Sequence, residues 1–264
     1  MKVFFRCGLG GGREPRVPNG AGQERGTRGR TTFARRLGEA SNAGAPKGYP
    51  LVRSLAIALA CVGVALGGDA AVAADEKPEL RIVCLGDSLT EGYGLAPELA
   101  YPYLLEAALR EQGHPARVVN AGISGSTSAS AVGRLRWQLR SEPDIVILAL
   151  GGNDGLRGVD VTATRKHLSE AIRLATDRGV RVLLAGMKMP PNYGPEYTRD
   201  FEALFPDLAE KHSVPLIPFL LEGVAADPKL NLPDGIHPNA RGTEIMTQNV
   251  LSALLPMLAQ EAGS

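Results

Sequence analysis

Five short apolar runs, separated by stretches of helical periodicity, constrain this chain more than any other feature. The runs are Arg81–Leu85, Arg117–Val119, Asp144–Leu150, Val180–Ala185 and Val214–Ile217. Around them lie Tyr101–Gln112, Ser128–Arg140, Val161–Asp177, Glu196–His212 and the closing Arg241–Leu258, each read as a helix. Asp144–Leu150 (DIVILAL) shows no alternation of apolar and polar residues, as expected of a strand covered on both faces. Regular β-α alternation implies a parallel sheet with helices on both sides. Functional sites in such sheets lie beyond the C-terminal ends of the strands. Pro190-Pro191-Asn192-Tyr193-Gly194-Pro195 reads as a loop, because proline and glycine interrupt both ladders.

Four short motifs follow in fixed order, three of them at those strand ends. They are Gly86-Asp87-Ser88-Leu89, Gly122-Ile123-Ser124-Gly125, Gly151-Gly152-Asn153-Asp154 and Asp234-Gly235-Ile236-His237-Pro238. Ser88, at a strand-to-helix turn, has the position of a nucleophile, and its backbone N–H lies near a helix start, where anions are favoured. The plainer use of a serine there is as a helix N-cap. Asp234 lies three residues before His237, so a carboxylate can hold the imidazole Nδ1–H and leave Nε2 to take a proton. Asp234 also suits an ordinary turn before Gly235. Pro238 keeps His237 out of a helix. Asn153 can donate its amide to a developing oxyanion, or cap a turn. The backbone N–H of Gly125 is a further candidate donor. His114, His167 and His212 lack such company, and solvated or capping roles suit them.

Composition narrows the alternatives. Residues 1–74 hold 11 Lys+Arg and 4 Asp+Glu, whereas residues 75–264 hold 18 and 24. The second part therefore has no basic surplus to neutralise phosphates, which argues against nucleic acid as a partner. Arg53, the apolar run Leu55–Leu66 and the small residues Ala71-Val72-Ala73 read as a secretory signal peptide over residues 51–74. The apolar run is shorter than the roughly 20 residues a spanning helix needs, so stable membrane insertion is not expected. Signal peptides sit at the start of a chain, so translation is expected to begin near Val52. The alternatives for residues 1–50 are a basic disordered extension or an organelle transit segment. Residues 75–264 are long enough for one domain with a substantial core. Of Cys7, Cys61 and Cys84, only the last falls in that domain, inside an apolar run where a thiol is ordinarily inert packing. No Cys/His spacing suggests zinc. No G-x-S-x-G elbow, Walker A sequence or strand-borne G-x-G-x-x-G is present.

The four motifs resemble those of the SGNH, or GDSL, hydrolases. The resemblance runs from about Arg81 to Pro256 and is closest to the bacterial periplasmic thioesterase I/protease I/lysophospholipase and arylesterase branch. Gly86–Gly94, Leu150–Gly158 and Pro191–Gly194 support it. It implies a flavodoxin-like three-layer α/β/α sandwich with a five-stranded parallel sheet. It further implies ester or thioester hydrolysis without metal or cofactor, in the periplasm or outside the cell, by a monomer acting on small acyl substrates. The implied catalytic residues are Ser88, Asp234 and His237, with Ser88, Gly125 and Asn153 around the oxyanion. Asp87, Asp154 and Pro191 are expected near the substrate. One departure stands out: where the branch commonly has Ser-Gly-Asp-Thr, this chain has Ser124-Gly125-Ser126-Thr127. A carbohydrate O-deacetylase on the same fold, or a non-catalytic binding protein, are the competing readings. The single Trp137 and the apolar Met187–Pro191 loop lean toward acyl substrates.

Overall fold

The structure is a computed structural model that describes residues 79–259. The expected basic extension and signal peptide, with Cys7 and Cys61, lie outside the described residues.

Five strands form one parallel sheet: β1 (Leu80–Gly86), β2 (Ala116–Gly122), β3 (Ile145–Ala149), β4 (Arg181–Ala185) and β5 (Leu216–Ile217). Their spatial order is β2-β1-β3-β4-β5. The chain winds outward from β1 to β2, then crosses back to β3 on the other side of β1. Connections thus leave β1 and β3 in opposite directions, which opens a crevice beyond their C-terminal ends.

Alternation along the strands divides the core into two layers. Ile82, Cys84, Ile145, Ile147, Leu183 and Ala185 face α2 (Tyr101–Glu111) and α7 (Ala240–Ala259). Val83, Leu85, Val146, Leu148, Val182 and Leu184 face α3 (Ala131–Gln138), α5 (Val161–Thr176) and α6 (Pro195–His212). All are buried, so the sheet is covered on both sides, as an uninterrupted run such as DIVILAL requires. Cys84 lies at the centre of β1, where burial pushes its thiol up to about 12.

The longer helices fall where the periodicity places them, but with different ends. The expected helix over Ser128–Arg140 is α3 flanked by two 3₁₀ turns, Ser128–Ser130 and Leu139–Ser141. The proline-rich loop contains a 3₁₀ turn at Pro191–Tyr193, and Pro195 opens α6, a position where the missing N–H costs no helical bond. Two further helices are too short to show a period: α1 (Ser88–Glu91) and α4 (Gly152–Leu156). Each directly follows a strand of the crevice.

Gly122 allows α1 to lie against the end of β2. A Cβ there would stand 2.1 Å from the Glu91 backbone nitrogen. Asn120 and Ser124, on either side of Gly122, donate to the Glu91 carbonyl and carboxylate.

Candidate active site

Asp87, not Ser88, caps α1: its Oδ1 accepts the Leu89 N–H at 3.1 Å. The Ser88 hydroxyl is thereby left for another partner, and lies 2.9 Å from His237 Nε2. His237 Nδ1 is 2.7 Å from Asp234 Oδ2. The other oxygen of Asp234 accepts the backbone N–H groups of His237 at 3.0 Å and Ile236 at 2.9 Å. The turn role and the imidazole-holding role of Asp234 therefore coexist on its two oxygens. Those two backbone bonds, and then the bond to the imidazole, hold the Asp234 carboxyl down at about 2.

Tyr93 packs on the imidazole, with ring centroids 4.5 Å apart and planes tilted by 37°. The motif reading missed this contact, although Gly92-Tyr93-Gly94, an aromatic between two glycines beyond the serine turn, carries a faint signal of it.

Asn153 does not cap α4, which has Gly151 in that place. Its Nδ2 donates instead to Asp87 Oδ2 at 3.2 Å and to the Ser126 carbonyl at 3.1 Å. Asn153 thus joins the turn that bears Ser88 to the loop that bears Gly125. The Ser88 and Gly125 backbone N–H groups meet no protein acceptor among the described residues.

Asp87 and Asp154, expected near the substrate, are instead buried supports. Asp87 is 4 % exposed, and burial pushes its carboxyl up to about 6 against the bonds from Leu89 and Asn153. Asp154 is 1 % exposed. Its oxygens accept Ser128 N–H at 2.8 Å, Ser128 Oγ at 2.6 Å and Thr164 Oγ1 at 3.3 Å. A carboxylate so enclosed has no face left for a ligand. It fixes the end of the Gly125 loop onto α4 and α5. His167 joins this cluster, its Nδ1 3.1 Å from Ser128 Oγ, rather than being merely solvated. His212 Nε2 likewise meets Ser169 Oγ at 2.7 Å. Pro191 is exposed, on a turn held to α4 by Tyr193, whose hydroxyl donates to the Leu156 carbonyl at 3.1 Å. Arg157 donates to the Gly125 carbonyl at 3.0 Å. No cluster of potential metal ligands occurs among the described residues.

A hydroxyl, an imidazole and a carboxylate joined in sequence at the switch point of a parallel α/β sheet define a serine hydrolase of the three-layer kind. Residues 84–245 match the GDSL-like lipase/acylhydrolase family. An arylesterase of Vibrio mimicus is 38 % identical over 67 % of this chain and 90 % of its own length. Thioesterase 1/protease 1/lysophospholipase L1 of Escherichia coli is 35 % identical over 69 % of this chain and 86 % of its own. A crystal structure of TesA superposes with a TM-score of 0.65 at 38 % identity, covering 67 % of this chain and 98 % of the other. The chain belongs to the GDSL-like lipase/acylhydrolase family, the one its motifs resemble, and is a hydrolase of ester bonds.

Proposed function

We propose that residues 75–264 form a serine esterase that cleaves carboxylic esters and thioesters through an acyl-enzyme on Ser88. The observation that carries this reading is the unbroken chain Ser88 Oγ–His237 Nε2–His237 Nδ1–Asp234 Oδ2, at 2.9 and 2.7 Å. His237 takes the Ser88 proton as Oγ attacks the acyl carbon, and returns it to the departing alcohol or thiol. Water, deprotonated by the same imidazole, then releases the acid. Asp234 remains ionised throughout and holds the ring in the tautomer that exposes Nε2.

The Ser88 and Gly125 backbone N–H groups and the Asn153 amide stabilise the tetrahedral oxyanion. In the resting site both amide hydrogens of Asn153 are engaged, by Asp87 and by the Ser126 carbonyl, at 3.2 and 3.1 Å. A developing oxyanion is a stronger acceptor than a neutral carbonyl, so it displaces Ser126 rather than Asp87. Tyr93, stacked on His237, is exposed, and so are the apolar Ile123, Leu156 and Ile236, each within three residues of a site residue in the chain. Apolar exposure on these segments supports an acyl chain over a sugar.

The arylesterase and thioesterase relatives support ester and thioester substrates of small size. Ser88, His237, Asp234, Gly125 and Asn153 all come from one chain, so a monomer would hold every group the reaction uses. The signal-type sequence over residues 51–74 supports a periplasmic or secreted enzyme. No helix among the described residues is long and apolar enough to cross a membrane.

The test is hydrolysis of p-nitrophenyl esters from acetyl to palmitoyl by the protein beginning at Ala74, beside Ser88→Ala. Serine-dependent turnover that extends to medium or long chains is expected. Activity confined to acetyl would favour a deacetylase, and equal turnover by Ser88→Ala would refute the mechanism.

A further inference from the structure

Arg134 is the one charged side chain of α3 that reaches back over the strand ends. It is half-buried, and its Nη1 donates to the Gly86 carbonyl at 2.9 Å while Nη2 donates to the Ala121 carbonyl. The planar guanidinium thus bridges the last turns of two adjacent strands, β1 and β2. Gly86 immediately precedes Asp87 and Ser88. Ala121 immediately precedes Gly122, on which α1 rests. One side chain therefore fixes both ends of the ledge that carries the nucleophile.

The same guanidinium lies in the field of Asp87. Burial lowers the proton affinity of Arg134, and the Asp87 charge opposes that loss. By the symmetry of Coulomb's law, Arg134 must favour the ionised form of Asp87. The ionised carboxylate accepts more strongly than the acid from Leu89 N–H and Asn153 Nδ2, which it meets on its two oxygens.

We infer that Arg134 is a positioning residue for the ester hydrolysis: its fork on the Gly86 and Ala121 carbonyls sets the Ser88 turn. This rests on the serine-esterase reading above. Lysine would not reproduce the role, since an ammonium lacks the planar fork that spans two carbonyls.

The groups that face Asp87 from the surrounding elements are Arg134 of α3, His237 of the C-terminal loop, Asn153 of α4 and the Tyr101 hydroxyl of α2. The part of any pH dependence that belongs to Asp87 is the part lost in the Asp87→Asn background.

The experiment measures kcat, KM and the pH profile of kcat/KM for p-nitrophenyl butyrate, with thermal midpoints, in wild type, Arg134→Met, Arg134→Lys, Asp87→Asn and Arg134→Met/Asp87→Asn. Arg134→Met is expected to lower kcat at least tenfold in folded protein with KM changed less than threefold. Its acid limb should move to higher pH, and Arg134→Lys should recover the limb but not the full kcat. In the Asp87→Asn background, the Arg134 substitution should no longer move the limb. A folded Arg134→Met enzyme with wild-type kcat and limb would overturn the inference. So would a limb shift of equal size with and without Asp87, or a kcat loss that tracks only the unfolded fraction. Wild type lacking Ser88-dependent hydrolysis would overturn the esterase reading itself, and this inference with it.

Discussion

Replacing Gly122 by alanine perturbs the site without touching any group that takes part in it. The new Cβ would stand 2.1 Å from the Glu91 nitrogen and 2.6 Å from Glu91 Cα and the Thr90 carbonyl carbon. These are backbone atoms, so no side-chain rotation relieves the overlap. Ordinary contact needs roughly 3.5 Å, so the α1 turn must retreat by about 1.4 Å. Ser88 is part of that four-residue turn, and its hydroxyl is only 2.9 Å from His237 Nε2. A retreat of that size takes Oγ beyond hydrogen-bond reach. Misplacement by about 1 Å is worth roughly 100-fold in rate, and overpacking of this kind costs about 1–3 kcal/mol. For a domain of this length, that is a fall in Tm of roughly 2–12 °C. The assay is kcat on p-nitrophenyl butyrate beside a thermal melt. Gly113→Ala is the control: it follows α2 at φ +77°, and nothing lies within 4 Å of the added methyl. Its left-handed backbone disfavours alanine by about 1 kcal/mol, so Tm should fall by roughly 2–4 °C with kcat unchanged. A folded Gly122→Ala enzyme with kcat within twofold of wild type would refute the steric reasoning.

Other outcomes follow from the same geometry. Asp234→Asn should lose roughly 10⁴-fold in kcat, because the ring loses the tautomer that presents Nε2; a loss under tenfold would show that the two backbone bonds alone orient the loop. With its folded pKa near 2 and an ordinary value near 3.8, Asp234 contributes stability above pH 4 that is lost as pH falls through 2. The acid-side slope in stability between those values should therefore diminish in Asp234→Asn, as read by melts across that range. Ser128→Ala removes the 2.6 Å bond to the buried Asp154 carboxylate. It should cost about 1.5–3 kcal/mol, or roughly 3–12 °C in Tm, and an unchanged melt would contradict the anchoring role.

The sheet was legible because its strands are covered on both faces, and so Asp144–Leu150 and Val180–Ala185 declare themselves by unbroken apolarity. Ser88, His237 and Asp234 were legible because turn chemistry leaves few uses for Asp-x-x-His before proline. What lies beneath them was not. Asp87 and Asn153 are 66 residues apart, and meet only because the strand order sets β1 beside β3. Asp87 and Asp154 were expected near the substrate rather than beneath it, since nothing local shows that α1 and α4 are single turns pressed against the crevice. A trace of the second case survives in α5, where Thr164 lies on the same buried stripe as Leu168, Ala171, Ile172 and Ala175. A hydroxyl on such a stripe requires a polar partner, here Asp154.

The placement of Cys84 has a practical consequence. In the protein beginning at Ala74 it is the sole thiol, fully enclosed at the middle of β1 and kept protonated far above neutral pH. Fraying of a loop or helix end does not expose it, because the layer of α2 and α7 must first lift off the sheet. Its alkylation by a thiol reagent is therefore a clock for the opening of that layer. At reagent concentrations where alkylation outpaces reclosing, the rate of mass gain under native conditions reads the rate of that opening, with no engineered thiol needed.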